Sequence, residues 1–332
     1  MLAALTKSQN KWGFTCGRVS VLEGRLIPYE FFETLAGLEK VDDLFHRLQD
    51  TSLREHMVPG AVSWEDWSTI LDTYVHDQVV SLRRNCPDPE IADLFTLSED
   101  YLNLKRAVQN RSGYPFNMNV FPEARLAEVA AGATGLLPDI VRPAVASLAG
   151  VSGGDAESQM LVDIVLDGAY LRHYMGLADQ LGVPVVREWV KLRVLGRALV
   201  VLWRAARAGH PLKLYQQHFL PIGDLNGLIT DLCSTADPRA WGALIPGNMG
   251  DLWNQALEVE EDEQVSRFEL LSANHLTALS RRAKLQTAGP ERVAGYLWGL
   301  WVEAFNLKLV ISGKLNKLDT GLLKSRIRDT YV

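Results

Sequence analysis

Cysteine is scarce and scattered in this chain: Cys16, Cys86 and Cys233 are all there is. No two form a CxxC pair, so neither a zinc site nor a disulfide framework is indicated, and a reducing cytoplasm fits best. A basic excess is missing too. The net charge of −6 argues against nucleic-acid binding, which calls for a positive face. Long apolar runs are also absent, the longest lying near Ala198 to Trp203, against the ~20 residues a membrane crossing needs. No charged-then-apolar leader opens the sequence. The expectation is no transmembrane segment; any work at a membrane would be done by docking.

Catalytic signatures are equally lacking. The seven histidines, among them His46, His76, His173 and His275, contain no HExxH. Gly313-Lys314 lacks the upstream glycine and the following Ser or Thr of a phosphate loop, and there is no GxGxxG and no nucleophile elbow. No cofactor, metal or catalytic residue is therefore expected. Alternating strands with hairpin turns are missing as well, which leaves an all-α fold over α/β.

What is present is a chain of 332 residues, 47% hydrophobic and 22% charged, enough for a substantial core in one to three subdomains. Helical punctuation recurs along it. From Lys11 to about Leu53 Pro28 can open a helix, and Phe31, Phe32, Leu35 and Leu38 fall at core spacing. Val58-Pro59-Gly60 breaks that pattern, and Ser63 with Asp66 reads as a capping box opening a helix toward Leu82. Cys86 to Pro89 turns the chain and Ser98 can cap the next helix. After Pro122 come a helix over 125–131, the breakers Gly132 to Pro138 and a short helix near Ala146. Gly153-Gly154-Asp155 is the cleanest start, opening a helix to about Leu181. Pro184 starts the next, apolar on most sides. Pro238, Pro246 and Gly247 interrupt 236–248, and helices resume from Met249.

One spelling occurs twice. Asp100-x-x-Asn103-Leu104-Lys105 runs toward Gly113, and Glu303-x-x-Asn306-Leu307-Lys308 runs toward Gly313. An acid three residues before an Asn shares its helix face, so both can serve one neighbouring helix. A following glycine permits the left-handed conformation that ends a helix. Gly209 closes a third helix similarly, with Leu195 and Ala198 in place of the acid and the Asn. The spelling after two of the glycines, Gly113-Tyr114-Pro115-Phe116 and Gly209-His210-Pro211-Leu212, repeats as well. Three helical repeats of about a hundred residues follow, over 1–115, 116–215 and 216–332.

These residues resemble the C subunit of the prokaryotic V-type or A-type rotary ATPases (ATP synthases), related to the d subunit of the eukaryotic V-ATPases. The likeness is carried by Tyr296-Leu297, Glu303, Asn306-Leu307, Gly313-Lys314 and Ile327-Arg328, by 17–26 near the start, and by Leu166-Asp167-x-x-Tyr170. It implies three pseudo-symmetric bundles arranged as a funnel around a central polar cavity. It also implies a non-catalytic central-stalk socket of the rotor, coupling the shaft of the soluble sector to the membrane ring for proton or sodium transport. The implied partners are the ring of c/K-type proteolipids and the D- and F-type shaft subunits. One copy per complex, peripheral on the cytoplasmic face of the membrane, is implied too.

Two readings of the motif residues stay open. Asp100, Asn103, Glu303 and Asn306 either cross-link helices inside each unit or line the cavity. Lys314, Lys317, Lys324, Arg326 and Arg328 make a local basic excess, either snorkelling surface residues or contacts to the ring or to lipid headgroups. The run from Glu258 to Glu263 reads as a solvated face or a docking patch. Outside the resemblance stand a helical-repeat adaptor and an all-α metal-dependent enzyme using Asp163 and Asp167, four apart on one helix.

Overall fold

Local rules place the long helices. Asp155 accepts the Ser158 amide at 2.8 Å and starts α8 (Ala156–Leu181), which Gly182 ends at φ 63°. Ser63 accepts the Asp66 amide and starts α4 (Trp64–Arg83). Pro184 stands at the first position of α9 (Pro184–Arg207), where its missing N–H has no helical partner to lose. Pro290 does the same for α14 (Pro290–Leu315).

The computed structural model describes residues 2–57, 60, 63–109, 111, 121–151, 155–235 and 237–332, excluding the side chains of 2–10 and 64. Among the described residues every regular element is helical, so the protein is all-α. The other α-helices are α1 (Leu2–Glu23), α2 (Tyr29–Gly37), α3 (Val41–Leu48), α5 (Glu90–Val108), α6 (Glu123–Ala130) and α7 (Arg142–Ser147). They continue with α10 (Leu212–Phe219), α11 (Asn226–Ser234), α12 (Asn248–Ala256), α13 (Gln264–Arg281) and α15 (Thr320–Arg326). The Pro-rich stretch before α12 forms a 3₁₀ turn, Pro238–Ala243.

One element begins elsewhere than expected. Helix α5 opens at Glu90, directly after Pro89, and Ser98 lies inside it. Pro89 presets the first turn, while Glu90 and Asp93 favour its positive end.

Residues 1–95 and 273–332 form one compact unit, and 96–272 form a second. The first is built around α14, which packs on α4, α1 and α2. Trp12, Phe32, Leu35, Leu44 and Tyr296 are enclosed in its core. The second is built around α8, packed on α9 and α10. Its aromatic centre is Trp203 on Trp253, ring centroids 4.1 Å apart, with Phe268 edge-on to Trp253 at 5.1 Å. Two buried indole N–H groups donate to carbonyls, Trp253 to Pro238 and Trp241 to Thr235, both at 3.1 Å.

Gly168 sets how closely α8 meets the end of α10. A Cβ there would collide with the His218 carbonyl, which also accepts a hydrogen bond from Arg172. Only glycine permits that approach.

Candidate functional site

In the first unit the motif of α14 ties three elements together. Glu303 is 2% exposed; one carboxylate oxygen accepts the Ile27 amide at 2.6 Å and the other the Tyr74 hydroxyl of α4 at 3.0 Å. Burial pushes the Glu303 carboxyl up to about 7, although both donated bonds pull it down. Burial, and then the neighbouring Glu303, raises the Tyr74 hydroxyl, which therefore stays a donor. One turn on, Asn306 donates to the Arg328 carbonyl and accepts the Arg328 amide, both at 2.9 Å. Lys308 is ion-paired with Asp72 of α4.

The first copy of the motif, in the second unit, does the same work. Asp100 is fully enclosed and accepts the Phe121 amide at 3.1 Å, with Asn103 equally enclosed beside it. Lys105 reaches Asp163 at 2.8 Å and Asp167 at 2.9 Å, both on α8. Tyr101 shares a hydrogen bond with His173 Nδ1 at 3.3 Å and stands edge-on to Tyr170, centroids 5.5 Å apart. Burial lowers His173 to about 4, so its ring is neutral at physiological pH.

The two acids choose the same kind of partner. Ile27 precedes Pro28, the N-cap of α2, and Phe121 precedes Pro122, the N-cap of α6. A residue before proline is pushed into extended backbone, leaving its N–H outside the helix that follows. Buried, that N–H needs an acceptor, and each motif acid supplies one from another helix. The two lysines likewise both cross to a carboxylate on a long neighbouring helix, α4 or α8.

The middle helix, α9, crosses to a later segment without the polar pair. Leu195 and Ala198 are 3% and 0% exposed and pack as core. Arg204 pairs with Glu269 of α13 at 3.0 Å, and Trp203 stands edge-on to Phe268, centroids 6.5 Å apart. Apolar contact replaces the Asp–Asn pair there.

The glycines divide in role. Gly209 takes φ 73° after α9, and the His210 amide returns to Ala205, the expected left-handed end. Gly113 lies outside the described residues. Gly313 does not end its helix: α14 runs on to Leu315, and Lys317 takes the left-handed conformation at φ 56°. Gly313 is instead a contact glycine, since a Cβ would strike Leu323 of α15.

The basic residues near the end also divide. Lys317, Lys324 and Arg326 are exposed, and Lys314 is half-buried beside Thr320. Arg328 departs from the expected surface placement: it is buried, with its guanidinium 3.3 Å from the Phe305 ring centroid and 5.1 Å from that of Trp301. Cation–π contact lets a desolvated arginine sit there. Asp163 and Asp167 converge on the Lys105 ammonium, so the cation between them is a side chain. Among the described residues no cluster of three His, Cys, Asp or Glu could hold a metal ion. No helix of the described chain is long and apolar enough to cross a membrane.

Tyr74, Asp72, Tyr101 and the amides of Ile27 and Phe121 are partners that the motif's own spelling does not announce. The two Xaa-Pro steps opening helices are the available signal, because each marks an amide needing a remote acceptor.

Comparison with known proteins covers nearly the whole of this framework. The chain is 23% identical over 328 residues to the C subunit of the V-type sodium ATPase of Enterococcus hirae, covering 93% of this chain and 95% of the relative. The family model described as ATP synthase (C/AC39) subunit matches residues 15–326, a span holding both copies of the acid–Asn–Lys motif. The chain belongs to the ATP synthase (C/AC39) subunit family.

Proposed function

We propose that this protein is the non-catalytic central-stalk socket of a V/A-type rotary ATPase, joining the shaft of the ATP-hydrolysing or ATP-synthesising sector to the membrane rotor ring. Family membership and the sodium-ATPase relative support a place in such a complex. The observation that carries the mechanical reading is the direction of the cross-links. Helix α5 of the first repeat bonds to α8 of the second, α9 of the second to α13 of the third, and α14 of the third back to α4 of the first. Each link joins two of the proposed repeats, 1–115, 116–215 and 216–332, inside one of the two compact units, so the repeats brace one another.

Such a body transmits torque by stiffness. Close-packed helices compress little, and buried acid-to-amide bonds hold each helix to one register. In this reading the three repeats form the funnel around a polar cavity that the family resemblance implies, which receives the D- and F-type shaft subunits, while another face meets the c/K-type ring. The exposed Lys317, Lys324 and Arg326, with Lys314, supply a basic surface for the ring or for lipid headgroups. The protein then sits as one copy, peripheral on the cytoplasmic face of the membrane. Protons or sodium ions cross elsewhere, in the ring.

The test is recovery of the tagged chain from detergent-solubilised membranes, with identification of its companions. Ring and shaft subunits recovered together support the socket. A chain recovered without either overturns it. Removal of the protein is expected to abolish ion pumping while leaving ATP hydrolysis by the soluble sector intact.

A further inference from the structure

The segment Ile327–Val332 forms no helix, yet Ile327, Arg328, Thr330 and Tyr331 are buried, at 3%, 8%, 3% and 1% exposed, while Asp329 and Val332 are half-buried. Four of its backbone groups are bonded by side chains of the helices around it. Asn306 takes both the amide and the carbonyl of Arg328, Asn274 accepts the Asp329 amide at 2.9 Å, and Arg281 donates to the Thr330 carbonyl at 2.9 Å. Its side chains enter separate sites. Arg328 stacks on Phe305 and Trp301, and the Tyr331 hydroxyl donates to Glu23 at 2.7 Å, a carboxylate also held by Arg292 at 2.8 Å.

Side chains that read consecutive backbone groups, with pockets for particular residues, are how folded domains bind extended peptides. We propose that the groove on α13 and α14 is a peptide-recognition site, filled in cis by residues 327–332 and able to bind the same peptide in trans. The specificity is a cation for the Trp301–Phe305 platform and, three residues on, a phenol for Glu23. Trp301 and Phe305 remain half-exposed, so the platform opens to the surface. Before the segment lie exposed Lys324, Ser325 and Arg326, the last turn of α15, whose attachment keeps the cis peptide at high effective concentration. The inference does not depend on the rotary assignment.

Two proteins test it with one labelled synthetic peptide, residues 327–332. The first is the chain shortened after Arg326; the second is the full chain with a protease site at 324–326, cut after folding. Saturable uptake of the peptide by the shortened chain is expected, or recovery of its helicity on addition if it does not fold alone. In the clipped chain the labelled peptide is expected to replace the native segment. Arg328→Ala in the peptide, or Asn306→Ala in the protein, should weaken both by about tenfold or more. The proposal is overturned if a folded shortened chain takes up no peptide, if the Arg328→Ala peptide binds equally well, or if the clipped segment is shed at once. It is equally overturned if the clipped segment resists excess peptide, since the segment is then core and not ligand. Where the shortened chain does not fold, the clipped chain decides.

Discussion

The Tyr74 hydroxyl and the Ile27 amide meet on one buried carboxylate, Glu303, at 3.0 and 2.6 Å. This makes the first unit sensitive to pH near neutrality. A carboxyl raised from 4.5 to about 7 favours the folded state when protonated. Its contribution is therefore complete below about 4.5 and is lost as pH rises through about 7. Glu303→Gln should remove that slope. Denaturant unfolding from pH 5 to 8 should show the wild type losing about 2 kcal/mol or somewhat more relative to the variant. Parallel curves would contradict the assignment.

His173 acts in the opposite direction, in the second unit. Its ring is held at about 4 by burial, so stability is present above the ordinary value of 6.5 and is lost as pH falls toward 4. His173→Gln should flatten stability between pH 4 and 6.5. An NMR titration of the ring should find it neutral at pH 6.

Lys105 can be tested by a double-mutant cycle. Its coupling to Asp167, which is 23% exposed, should be about 1 kcal/mol, and that to the 57% exposed Asp163 smaller. Lys105→Met alone should be the worst variant, because it leaves two carboxylates facing each other. Magnesium should leave the melting temperature of the wild type unchanged; a rise would revive the metal-enzyme reading.

Two glycines of α8 give a controlled comparison. Gly168→Ala drives a methyl into the His218 backbone and should cost about 3 kcal/mol or more. Gly176→Ala meets only the Ile140 side chain at 3.5 Å, ordinary contact, and should be neutral or stabilise by up to about 1 kcal/mol. Equal effects would mean that the α8–α10 approach is wrong.

The helices were legible where local chemistry decides them. Asp155 as a cap, Pro184 as a start and Leu181 as an end all stand in the structure. The acid–Asn–Lys motif was legible as a repeat, but its partners were not, since Glu303 meets an amide 276 positions away. Local pattern carries no record of such a contact. Gly313 misled because a helix-ending glycine and a close-approach glycine look alike in sequence. Arg328 misled because a cationic residue reads as surface until the rings that cover it are placed.

Thiol reactivity offers a last check on packing. Burial raises Cys16, pushes Cys86 up to about 12 and pushes Cys233 up to about 11. Since the thiolate is the reactive form, none should react quickly with a disulfide reagent at pH 8, and all three should react on unfolding. Rapid modification of the folded protein would contradict the enclosure of Cys16 and Cys233.

The second unit is an uninterrupted stretch, whereas the first is assembled from residues 1–95 and 273–332. During synthesis α1, α2 and α4 leave the ribosome long before α14, the helix they pack on. At roughly 10 residues per second, they wait on the order of ten seconds or more. Throughout that interval the faces of α2 and α4 that pack on α14 have no permanent cover, and the second unit can already be complete. The opening third of the chain is thus the part most in need of a chaperone, and the last sixty residues relieve that need.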